Sequence, residues 1–209
     1  MELPSHRYGK VMTRISDRFR LIDQIKSLGR GNFSANEGIA FQLRKIIEGV
    51  AYGCVISSET GSKDKVRSAR GHWNAKNVLN ELDKKRRLSL PNPSLLRAAS
   101  DEESSKDDVK WTIEGQPNKC LTKAQIIEIY EQTHAWLHEL NPFYNTPKFF
   151  LEKHEDALWN SSVSMEEMLS KHFIALMGEG FYCTLFDQQT GTVKVLPLSR
   201  QSENYAQTH

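Results

Sequence analysis

Apolar residues recur at helical spacing through most of the chain and turn to strand-like alternation only near its end. The longest helical series is Ile39, Leu43, Ile46, Ile47, Val50 and Cys54, which share one broad face at about 100° per residue. Ser34 followed by Glu37 is a capping-box pattern, so the helix is predicted over 34–57. A second side carries Gly38, Gln42, Gly49 and Gly53. Glycine inside a helix costs about 1 kcal/mol relative to alanine, so this side predicts a closely packed neighbour or a dimer contact. Between Glu37 and Ser57 the only charged residues are Arg44, Lys45 and Glu48. A helix this apolar on most sides belongs at the centre of the protein.

The other elements arrange themselves around it. Val11, Ile15, Phe19, Ile22 and Ile25 predict an amphipathic helix over 10–28. The link 29–34, rich in glycine, reads as a turn between two antiparallel helices. Val78 and Leu82 predict a helix over 73–85. Pro91 and Pro93 make the next stretch extended coil. Residues 98–108 are acidic and serine-rich and read as a flexible loop, followed by a short strand over 109–113. Thr122 with Gln125 opens a helix to about Leu140, ended by Asn141 and Pro142. Thr146 and Pro147 open another helix to Trp159, and Ser164 with Glu167 opens a third to Met177, stopped by Gly178 and Gly180. The segments FYCTLFD and TVKVLPL, joined by QQTG, predict a β-hairpin that the 109–113 strand would extend. The tail over 200–209 is polar and reads as disordered. The expected fold is a single α+β domain, mainly α: an antiparallel helical bundle around a buried central helix, with a small C-terminal hairpin.

Composition narrows the function classes. In 209 residues no apolar run reaches the length that spans a bilayer, and the first ten residues hold no hydrophobic signal core. Three widely separated cysteines suit reduced thiols rather than a disulfide framework, so a cytoplasmic protein without cofactor is expected. The net charge of +2 hides an asymmetry: basic residues exceed acidic ones by ten over 1–97 and fall short by eight over 98–209. The two parts either dock on each other or leave the first part for an anionic partner.

Several side chains carry candidate chemistry. Arg44 and Glu48, one helical turn apart, form a paired charge at the edge of the core and are candidate catalytic residues together with His138. His134 and His138 at i,i+4 are a workable metal pair, with Glu131 nearly in line and a further ligand to come from His172 or Glu48. Lys10, Arg14 and Arg18, spaced by four, form a basic stripe that would lie along phosphates, and Arg67 and Arg70 extend the basic set. Nucleophile elbows, phosphate loops, dinucleotide fingerprints and calcium loops are missing from the sequence.

Two stretches carry resemblances. RSARGH, from Arg67 to His72, resembles the arginine–histidine spacing of the HEPN superfamily of helical ribonucleases. That resemblance implies a toxin or defence component in which Arg67 and His72 act on the 2′-hydroxyl and phosphate of RNA. A composite alternative pairs Arg44 with His138. LRKIIEG (Leu43–Gly49) with WLHELNPF (Trp136–Phe143) resembles bacterial helical proteins without an assigned activity, which implies a bacterial or phage origin. The first expectation is a non-catalytic binding or assembly protein, self-associating or with a protein or nucleic-acid partner and no membrane. The rivals are an RNA-binding or RNA-cleaving component and a metal-dependent hydrolase.

Overall fold

The computed structural model describes residues 2–59, 74–107, 110–138, 143, 147–176 and 179–199. Helix α1 (Pro4–Lys26) and helix α2 (Phe33–Glu59) form an antiparallel pair. Gly29 and Gly31 make the turn between them with φ of 86° and 80°, a region that favours glycine. The start of α2 corrects the capping expectation. Asn32, not Ser34, caps it: its Oδ1 accepts the Ala35 amide at 3.0 Å.

Helix α2 is the axis of the core, as its apolar series predicts. Ile39, Leu43, Ile46, Ile47, Val50 and Cys54 are all fully buried. Each of these aliphatic side chains contributes about 1.5–3 kcal/mol. Its glycines face α1. A Cβ at Gly38 would come within 3.2 Å of Ile25, one at Gly49 within 3.0 Å of Ile15, and one at Gly53 within 3.1 Å of Tyr8. The expected close neighbour is therefore α1, and this face is not left open for a dimer.

Helices α3 (Ala75–Lys84) and α5 (Lys123–Leu137) pack on another side of α2. Asn74 caps α3, and Thr122 with Gln125 forms the predicted capping box at the start of α5. Helix α5 ends at Leu137, and the expected stop at Asn141 and Pro142 lies outside the described residues. One continuous helix, α6 (Pro147–Ser170), replaces the two helices expected between Pro147 and Met177. Asn36 ties it to the start of α2, donating to Glu155 at 2.6 Å and accepting from the Trp159 indole at 2.8 Å.

The sheet is larger than the expected hairpin. It has five antiparallel strands in the order β2-β1-β3-β4-β5. β1 (Asn92–Ala98) occupies the stretch read as coil, and β3 (Lys171–Leu176) occupies the stretch read as the end of a helix. β4 (Glu179–Thr184) and β5 (Lys194–Ser199) are the expected hairpin. β2 (Trp111–Gly115) is a strand, as expected, but it pairs with β1 at the far edge rather than with the hairpin. A short helix, α4 (Asp101–Asp107), lies within the 98–108 segment between them. The fold is α+β and mainly helical, with helices α1, α2 and α6 against the sheet.

Candidate functional site

Two places gather chemistry at the surface. The first joins α2 to α5. The Arg44 guanidinium lies 4.7 Å from the centroid of the Tyr130 ring, a cation–π contact. Its Nε is 3.4 Å from Glu48, which also accepts from Lys45 at 2.6 Å. Glu48 is thus held between two cations. Tyr130 meets His134 edge-on at 5.3 Å between ring centroids, and His134 meets His138 at 6.4 Å. The sequence-predicted set Arg44, Glu48, His134 and His138 is therefore brought into one chain of contacts, with Tyr130 as the link that sequence spacing missed.

The electrostatics of this cluster follow from burial. Tyr130 is 1% exposed, and burial raises its phenol pKa. Its hydroxyl is buried close to Glu48 and the Ala75 amide and meets no described residue within normal hydrogen-bond limits. His134 is pushed down by burial first, then by Arg44 and His138, which favours its neutral form. Its Nε2 is buried without a hydrogen-bond partner among the described residues. Glu131, in line with the histidines, is committed to Lys76. The expected contribution of His172 to a metal site fails on position: His172 is buried between Tyr8 and the Leu169 carbonyl. Among the described residues no group of three or more side chains of ligand type is placed to hold a metal ion.

The basic stripe on α1 is partly committed. Lys10 pairs with Glu2 at 2.7 Å, and Arg18 donates to Gln42 of α2 at 2.6 Å. Arg14 is exposed. Arg67, Arg70 and His72 lie outside the described residues.

The second place is the sheet face turned away from the helices. Strand side chains alternate between faces. His172, Ile174, Phe181 and Cys183 are buried against the helices. The register puts Lys171, Thr184 and Lys194 in one row on the opposite face, and Phe173, Tyr182 and Leu196 in the next. Tyr182 reaches across β3, accepting the Leu96 amide at 3.1 Å and donating to the Ser94 carbonyl at 3.2 Å. It thereby satisfies β1 where β1 departs from β3, and its ring becomes the floor of a groove of about 680 Å³. Leu96, Leu196 and Leu198 continue that floor, and Trp111, 58% exposed, stands at one side. The opposite wall is the 186–189 loop. Asp187 braces it by accepting the Gln189 and Thr190 amides at 3.1 and 3.0 Å, which lowers its carboxyl pKa. Arg20 of α1 donates to the Gly191 carbonyl and holds the loop from outside. Sequence reasoning missed this face. The alternation in VKWTI and TVKVLPL was the signal, but without the register nothing joined those strands across the sheet.

A shallower groove of about 550 Å³ runs between the start of α1 and β5. Lys10 on its wall is already paired with Glu2.

Among the described residues no helix is long and apolar enough to cross a membrane. No protein-family model matches the chain, and neither the curated proteins nor the solved structures give a significant match.

Proposed function

We propose that the chain is a non-catalytic docking protein whose partner seats on the open face of the five-stranded sheet. The observation that carries this reading is the groove: an apolar floor bounded by a Trp111 ring that is 58% exposed. An exposed tryptophan beside an apolar depression is the kind of residue that dominates binding energy at interfaces. β5 is an edge strand, and Pro197 within it removes one backbone donor, which disfavours strand addition there. The face, rather than the edge, is the docking element. The dye 1-anilinonaphthalene-8-sulfonate, an apolar ring system with one sulfonate, tests it. The dye should brighten on the native chain, and Trp111→Ala should cut that signal while leaving the circular dichroism unchanged. Equal dye binding by the two proteins contradicts the reading.

The cluster on α2 and α5 favours a second reading, RNA binding or cleavage. Arg44 suits a phosphate, and the adjacent His134 and His138 suit proton transfer. A labelled RNA cleaved by the chain but not by His138→Ala or Arg44→Ala would support it. Cleavage unchanged in both variants would end it.

A further inference from the structure

We infer that the partner of the sheet groove is a peptide segment with an aliphatic or aromatic core flanked by carboxylates; this rests on the sheet face being a docking surface. Three observations select that chemistry. The floor is aliphatic, formed by leucines beside Tyr182, whose hydroxyl is consumed by β1. Such a floor takes apolar side chains by burial and offers little flat surface for nucleobases. Among the described residues that line the groove, Trp111 is the one exposed ring, with Phe186 half-buried across from it, and a single-strand platform uses several rings in succession.

The rim supplies the charge. Lys171 and Lys194 stand on either side of Thr184 in one row across three strands. Both are exposed, and neither is paired with a carboxylate among the described residues. Asp187, whose carboxyl pKa Lys194 helps to hold down, accepts its hydrogen bonds from its own loop amides. The two cations stand along one border of the apolar floor, one on each side of β4, and complement one or two carboxylates on either side of an apolar side chain. They are too few for a phosphate backbone, where affinity grows with the number of neutralised charges.

The test is selection of an unbiased twelve-residue phage-displayed peptide library on the full chain, followed by fluorescence anisotropy with the synthetic consensus peptide. The expected consensus has Leu, Ile, Phe or Trp at its centre and Asp or Glu on both flanks. Lys171→Glu with Lys194→Glu should weaken that peptide by about tenfold or more, and a version with lysine flanks should regain affinity for the double variant. Trp111→Ala should weaken both peptides alike, because it removes apolar contact only. A consensus lacking acidic flanks, no enrichment at all, or tighter binding of a twelve-nucleotide oligouridylate through the same lysines would overturn the inference. The dye experiment separates the two failures. Dye bound at Trp111 without an acidic consensus leaves the docking surface standing and removes only the partner class. Dye that ignores Trp111 removes both.

Discussion

The Tyr8 hydroxyl donates to Nε2 of His172 across 2.7 Å, joining the first helix to the middle strand of the sheet. The direction of the bond follows from the other ring nitrogen. Nδ1 lies 2.9 Å from the Leu169 carbonyl, which can only accept, so Nδ1 carries the proton and Nε2 the lone pair. Both side chains are fully buried. This neutral pair fixes the helical layer against the inner face of the sheet, and so fixes which face is left outward.

The pair predicts acid sensitivity. Burial pushes the His172 pKa down to about 4. In the unfolded chain the ring titrates near 6.5, so below that pH the unfolded state takes up a proton that the folded state refuses. The contribution is present above pH 6.5 and is lost as pH falls towards 4, about 3 kcal/mol in all. Urea unfolding of wild type and His172→Gln across this window should show profiles that converge at low pH. Parallel profiles would remove His172 as the cause.

Helix packing at the glycines predicts a compensating pair. A Cβ at Gly49 would sit 3.0 Å from Cδ1 of Ile15. Alanine there gains about 1 kcal/mol of helix propensity but overpacks the α1–α2 contact at a cost of about 1–3 kcal/mol. Gly49→Ala should therefore lower stability by about 1 kcal/mol, and Ile15→Val, which removes Cδ1 but keeps a methyl at the Cγ1 position 3.1 Å away, should cost less in that background than in wild type. Additive losses in the double variant would show that the two residues do not meet.

Asn36 predicts a larger loss. It is 1% exposed and joins Glu155 to the Trp159 indole. Asn36→Leu strips partners from both groups and should cost about 2–3 kcal/mol in chemical denaturation. Trp159→Phe in that background should cost less than it does in wild type.

Thiol reactivity should divide the cysteines. Cys54 and Cys183 are buried, and burial pushes both thiols up to about 12. Cys120 is exposed. Native protein should react quickly with a thiol reagent at one cysteine and, after denaturation, at all three. Fast native labelling of Cys54 would contradict the buried core.

The core was legible in sequence because α2 repeats its apolar residues over many turns. Expected over 34–57, it runs from Phe33 to Glu59. Shorter elements were less legible. KHFIAL, over 171–176, is brief enough that its apolar residues suit helix or strand, and its strand state depends on pairing with β1 and β4. β1 was hidden by its proline. Pro93 lies where β1 meets β3, opposite His172, just before β1 departs. In the α2–α5 cluster the histidine pair was readable from spacing. The approach of Arg44 through Tyr130 was not, because it depends on how two distant helices cross. The open sheet face needed the register of all five strands before its lysines and leucines fell into rows.

The claim that a partner seats on the sheet is tested most directly by fluorine NMR of protein labelled with 5-fluorotryptophan. The chain has four tryptophans, each giving one resonance. Titration with the acidic-flanked peptide should shift the Trp111 resonance, assigned by its loss in Trp111→Phe, and leave Trp136 and Trp159 in place. A Trp111 resonance that stays fixed at saturation while Trp136, on the same helix as His134, moves would place binding on the α2–α5 side and contradict the account.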